Sequence, residues 1–250
     1  MKKAIVTGAS SGIGTEIAKL LSEKGYYIIL VARREDKLYE LLPALKCGGE
    51  VFPCDLSDVE NCIKLHEKYK NENIEVLVNN AGFGVFGEFS ETDLYRDLEM
   101  INLNISALHT LCKLFLPHML ENNKGYILNV ASLASFMSGP LMGAYYATKS
   151  YVVRLSRAIS KEIKGSDVKI SVLCPGPVDT EFNKVAGVKF ALKPLTAAKT
   201  ARHGVKNMFR GKFYALPGIS AKLTAFVSKL IPDTVLSEFS MRIQKKKRNV

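Results

Sequence analysis

Six short apolar runs alternate with amphipathic segments over most of this chain, and that rhythm limits the folds open to it more than any other feature. "AIVTG" is followed by Gly12 to Lys24, "YIILVA" by Glu35 to Lys46, and "EVFPCD" by Val59 to Asn73. "EVLVNNAG" precedes Glu91 to Leu120, "GYILNVAS" precedes Ala144 to Lys164, and "VKISVLCPG" comes after. Runs that are apolar throughout suit strands covered on both faces, and the segments between them suit helical crossovers. The pattern predicts an α/β fold, a doubly wound parallel sheet of about seven strands with helices on both faces. The last strand, "KFYALPG", follows a helical stretch near Leu195 to Arg210. No repeat or low-complexity linker interrupts the 250 residues, so a single domain over 1–250 is expected. Within it, 181–250 reads as a substrate loop, the last strand and a basic C-terminal helical extension.

Charge is distributed unevenly. Residues 1–181 hold 20 Lys/Arg against 22 Asp/Glu, whereas 182–250 hold 15 against Asp233 and Glu238 alone, so the net +11 belongs to the last quarter. Such a surface suits an acidic partner, such as a phosphorylated thioester carrier, or an anionic membrane. In "ISAKLTAFVSKLIP", Leu223, Phe226, Val227, Leu230 and Ile231 share a helical face beside Lys222 and Lys229. The preferred reading is a helix that covers the domain or makes an oligomer contact, followed by a solvated tail; membrane attachment ranks second. No binding module for nucleic acid accompanies the charge. Five cysteines without a CxxC pair indicate buried thiols, not a disulfide framework or a zinc site. No run is long and apolar enough to span a bilayer, and the opening apolar run stops at Thr7, so a cytoplasmic protein is expected.

In a doubly wound sheet, ligands lie beyond the carboxyl ends of the strands, where strand order reverses. "TGASSGIG" follows the first run and carries Gly8, Ser10, Ser11, Gly12, Ile13 and Gly14. Small residues there let the backbone turn sharply and approach a pyrophosphate, whose charge is favoured by the N–H groups that open the next helix. At the end of the second run an acid would accept the ribose 2′-hydroxyl of NAD, and arginine suits the 2′-phosphate of NADP. Arg33 and Arg34 stand there, which favours NADP(H). Asp55, with Leu56 beside it, follows the third run, where a carboxylate can hydrogen-bond an adenine amine.

"GAYYATKSY" places Tyr145 and Tyr146 four and three residues before Lys149, so on a helix both tyrosines reach the lysine's face. "TGASSGIG", "NNAG", "NVAS", "YYATK" and "PGPVDT" together resemble the short-chain dehydrogenase/reductases across at least residues 3–180. That resemblance implies a Rossmann-type fold and a YxxxK motif whose serine lies 13 residues before the tyrosine. Ser132 then pairs with Tyr145, because the position 13 before Tyr146 is Leu133. The resemblance implies that Tyr145 acts as general acid/base, that Ser132 binds the substrate oxygen, and that Lys149 favours the phenolate and holds the nicotinamide ribose. It implies that Asn104, in "NISA", holds a relay water. Asn80, Ala81 and Gly82 fall to the adenine-ribose side, Asn79 to a bond between strands, and Pro175, Gly176, Val178 and Thr180 to the nicotinamide.

The expected reaction is NADP(H)-dependent interconversion of a carbonyl and an alcohol. A 3-oxoacyl thioester reductase is the narrower alternative, and a non-catalytic NADP(H) sensor ranks below both. Phe136, Met137, Leu141, Met142, Phe182 and Phe190 make the expected substrate region apolar, with Met142 and Phe182 as contacts. A homodimer or homotetramer is implied by the resemblance. His66, His109, His118 and His203 have no metal spacing, and Ser132 has no nucleophile elbow, which argues against a hydrolase.

Overall fold

A computed structural model describes residues 1–182, 186, 194–228 and 230–248, with side chains described as far as 245. Seven strands form one parallel sheet: β1 (Lys3–Thr7), β2 (Tyr27–Ala32), β3 (Gly49–Pro53), β4 (Ile74–Asn79), β5 (Gly125–Val130), β6 (Val168–Leu173) and β9 (Tyr214–Ala215). Their order across the sheet is β3-β2-β1-β4-β5-β6-β9, so the winding reverses between β1 and β4. A separate parallel pair joins β7 (Val178–Asp179) to β8 (Leu195–Thr196).

Helices α1 (Gly12–Glu23), α2 (Glu35–Leu41), α3 (Val59–Tyr69), α4 (Leu94–Ile101), α5 (Leu108–Glu121), α6 (Gly143–Glu162) and α7 (Ala197–Phe209) supply the crossovers. Strand residues alternate between two cores. Ile5, Ile29, Leu77 and Ile127 point to one face, where Leu65 of α3, Leu111 and Phe115 of α5 and Val152 of α6 cover them. Val6, Leu30, Val78 and Leu128 point to the other, against Ile17 and Leu21 of α1, Leu38 of α2 and Val205 of α7. This two-sided cover is why the runs are apolar at every position instead of every second one.

Local signals set several boundaries. Asp58, Asp93 and Thr196 accept a backbone N–H of the first turn of α3, α4 and α7, satisfying donors that have no intrahelical partner. The expected helix from Glu91 to Leu120 is not continuous. It starts at Leu94, after the Asp93 cap, and Asn102–Ala107 form a π-helical turn between α4 and α5. The hydrophobic period continues through that turn, so periodicity did not reveal it.

Polar residues link the strands where the sheet meets α6. Asn79 donates its side-chain amide to Asn129 (2.9 Å), and Asn129 donates to the Ser156 hydroxyl (2.8 Å), which gives Asn79 the structural role expected of it. All three side chains are buried. Asn129→Ala removes one buried bond from the Asn79 amide, which keeps Cys112 Sγ (3.3 Å), and one from the Ser156 hydroxyl, which keeps the Val152 carbonyl (2.6 Å), and is expected to cost about 1–2 kcal/mol in urea denaturation.

Candidate active site

The reversal between β1 and β4 is held by Thr7. Its hydroxyl donates to the Val78 carbonyl (3.2 Å) and accepts from the N–H groups of Asn80 (2.9 Å) and Ala81 (3.0 Å). Asn80 returns its amide to the carbonyls of Thr7 (2.9 Å) and Gly8 (3.1 Å). The loop to α1 thus lies so close to β4 that a Cβ on Gly14 would sit 2.3 Å from the Gly8 oxygen. Gly8 and Gly12 have φ of +64° and +57°, in the left-handed region. Ser11, at the helix cap, makes no side-chain capping bond to the N–H groups that open α1.

A cleft of about 520 Å³ opens over these strand ends. Gly8, Ser10, Ser11, Gly12, Ile13, Arg33, Arg34, Asp55, Leu56, Asn80, Ala81 and Gly82 line one part. Ser132, Met142, Tyr145, Lys149, Pro175, Gly176, Val178, Thr180 and Phe182 line the rest. Of the expected catalytic and cofactor residues, Gly14 and Asn104 stand behind the wall, and of the expected apolar substrate region Met137 does not line the cleft. Phe136 instead packs on Tyr214, with ring centroids 5.8 Å apart, and Leu141 borders a neighbouring hollow. Phe190 lies outside the described residues. The four histidines form no metal cluster among the described residues.

Both arginines have acidic partners. Arg33 reaches Glu99 (2.9 Å) and Asp55 (3.6 Å), and Arg34 reaches Glu181 (2.7 Å) and the Ser10 hydroxyl (3.2 Å). Burial disfavours the Asp55 carboxylate, but the N–H and hydroxyl of Ser57 and the Arg33 charge outweigh it and lower its pKa. Glu181 was not foreseen, because nothing local in "DTEF" marks it as a partner for a residue on β2's far end. The side chains present fit a nicotinamide dinucleotide: the cradle between Gly8 and Gly14 admits no Cβ, and two guanidinium groups flank the same cleft.

Tyr145 opens the first turn of α6 and is 8% exposed, its ring 5.4 Å from Phe182. Burial raises the pKa of its hydroxyl, and a hydrogen bond with Ser132 only partly opposes this. The sequence argument expected Lys149 to pull the phenol toward neutrality. In the structure the Lys149 ammonium lies 5.9 Å from the Tyr145 ring centroid and donates to the Val130 carbonyl at 3.0 Å. Burial lowers the lysine's own pKa to about 8, partly offset by Cys174. Desolvation therefore dominates at both groups, and the tyrosine is held protonated.

Asn104 sits in the π turn and is buried. Its oxygen accepts from the Phe83 N–H (3.1 Å), and its amide donates to the Phe83 carbonyl (2.9 Å) and the Thr148 hydroxyl (3.0 Å). The extra residue in the π turn aims Asn104 between the segment after β4 and α6, clamping the two walls that carry Gly82 and Lys149. Tyr146 also borders the cleft, but its hydroxyl is engaged elsewhere, accepting from Gln244 at 2.9 Å.

A doubly wound sheet whose reversal point carries a glycine cradle on one side and a serine, tyrosine and lysine on the other defines an oxidoreductase of the dehydrogenase type. Residues 2–189 match the family model for the short chain dehydrogenases, and the chain belongs to that family. An uncharacterized oxidoreductase of Staphylococcus epidermidis is 33% identical over 186 residues, covering 73% of this chain and 80% of that protein. Ketoacyl reductase HetN of a Nostoc species is 31% identical over 220 residues, covering 82% of this chain and 76% of that protein. A short-chain dehydrogenase from Sphingobium yanoikuyae in complex with NADPH aligns with a TM-score of 0.84 at 25% identity, covering 92% of this chain and 93% of the other.

Proposed function

We propose that this chain is an NADP(H)-dependent carbonyl reductase or alcohol dehydrogenase that uses Tyr145 as its general acid/base. The observation that carries the reading is that Tyr145, Ser132 and Lys149 line the same cleft as the glycine loop and the two arginines. When bound, the reduced nicotinamide supplies a hydride to the carbonyl carbon. Ser132 binds the carbonyl oxygen and stabilises the charge that grows on it. Tyr145, kept protonated by burial, gives that oxygen its phenolic proton, and the Lys149 ammonium supports reprotonation of the phenol. Asn104 holds the walls that position Gly82 and Lys149. Pro175, Gly176, Val178 and Thr180 would border the nicotinamide, while Asp55, Leu56 and Asn80 to Gly82 would border the adenosine. NADPH consumption against a panel of ketones, aldehydes and acyl thioesters tests the reading; no turnover on any of them counts against it.

The ketoacyl reductase from Nostoc supports a narrower second reading, a 3-oxoacyl thioester reductase. Turnover on acyl-carrier or acyl-CoA substrates exceeding that on simple ketones would select it.

Arg33 and Arg34 can each exchange a carboxylate partner for the 2′-phosphate. Arg33→Ala with Arg34→Ala is expected to lower kcat/KM for NADPH by about 10- to 100-fold and leave NADH nearly unchanged. A parallel loss with both nucleotides would reject the assignment.

Reduction consumes a proton, and the Lys149 ammonium is lost as pH rises through about 8. The rate constant kcat/KM for the nucleotide reports groups of the free enzyme, so in the reductive direction it is expected to be flat below that pH and to fall above it. A limb rising through the same pH would reverse the assigned role.

A further inference from the structure

Two helices close the described part of the chain, α8 (Ile219–Val227) and α9 (Asp233–Arg248), and both leave large apolar side chains on the outside. A surface helix ordinarily turns its large apolar residues inward. Helix α8 instead buries Ala221 and Ala225 and leaves Ile219, Leu223 and Phe226 outside at 85%, 60% and 62% exposure, with Leu230 continuing the stripe. Helix α9 buries Leu236, Ser240 and Gln244, and exposes Val235, Phe239 and Ile243. The expected covering helix is thus present, but its small and polar residues do the covering.

Charge indicates what these faces meet. Residues 219–250 hold seven Lys/Arg against Asp233 and Glu238, and Lys222, Arg242 and Lys245 are exposed on the same two helices. A second copy of the chain placed symmetrically here would set this cationic surface against itself, whereas an anionic lipid surface complements both its charge and its apolar stripes. We infer that α8 and α9 form a docking face for an anionic membrane surface, with the apolar side chains entering the headgroup layer and the lysines and arginines on lipid phosphates.

The inner face of α9 connects this surface to the catalytic cleft. Gln244 bonds the Tyr146 hydroxyl at 2.9 Å, and Asp233 accepts from Ser138 at 2.8 Å. Met241 and Lys245 border a hollow of about 590 Å³ that shares Met142 with the cleft. Docking would therefore place a lipid surface beside the proposed substrate region without using a catalytic residue.

The test is co-sedimentation of the full chain with vesicles of equal parts phosphatidylcholine and phosphatidylglycerol, and with phosphatidylcholine alone. Binding to the anionic vesicles is expected to be at least about tenfold stronger and to weaken between about 0.1 M and about 0.5 M salt. Phe226→Ser with Phe239→Ser is expected to weaken it at least about tenfold while the melting temperature holds, since both rings are outside the fold. The inference is overturned if the wild type stays in the supernatant with anionic vesicles, or if the double variant pellets equally well. Equally, a wild-type dimer that the double variant splits, or retention by an acidic carrier protein, in place of vesicle binding, would assign the stripes to a protein contact. None of these readouts depends on turnover, so the docking face can fail or stand apart from the proposed reaction.

Discussion

Tyr145→Phe is expected to lower turnover by at least about 10³-fold while NADPH still binds. Phenylalanine keeps the ring between Phe182 and Tyr146, so packing and folding should be little changed, and only the phenolic proton is lost. Nucleotide fluorescence titration and steady-state turnover on the same preparation separate the two effects. A variant that retains a tenth of wild-type turnover would remove Tyr145 from the reaction. Tyr146→Phe provides the contrast. Its ring borders the cleft but its hydroxyl accepts from Gln244, so the expected result is near-normal turnover with a stability loss of about 1 kcal/mol.

Gly14→Ala has the second large effect, and two opposing terms decide its sign. Alanine favours a helix over glycine by about 1 kcal/mol, and Gly14 lies in α1. Its Cβ, however, would sit 2.3 Å from the Gly8 carbonyl oxygen and 2.6 Å from the Asn80 amide nitrogen. Overpacking of this kind costs about 1–3 kcal/mol, and here the atoms that must give way are backbone of the nucleotide loop. Crowding therefore wins. Net destabilisation of up to about 2 kcal/mol is expected in urea denaturation, with NADPH affinity reduced by at least about tenfold because the loop is displaced from its cradle. Wild-type affinity with raised stability would show that the loop relaxes freely.

The fold was largely legible because its signals are local and repeated. Each apolar run became a strand; the glycines after β1 and β4 flank the sheet's reversal, and Asp55 and Gly176 join them in the cleft from strands farther out. The candidate cluster was named for a different reason: the resemblance picks out Ser132, Tyr145 and Lys149 by spacing, and two of the three share one helix. Less legible were features that depend on distant partners. Glu181 meets Arg34 across 147 positions, and Gln244 meets Tyr146 across 98. The π turn at Asn104 left no trace in the hydrophobic period. Helical spacing identified the apolar stripe of α8, but which side of it faces the protein depends on what α8 packs against.

The sequence by itself determined the parallel sheet and the position of the glycine loop, because backbone periodicity and short spacings govern both, while the choice of Tyr145 over Tyr146 beside Lys149 came from the family resemblance. Only the tertiary structure decided the protonation balance of Tyr145 and Lys149 and the outward orientation of the last two helices. Both depend on how much water reaches a side chain, and that is set by residues far away in the chain that fold over it.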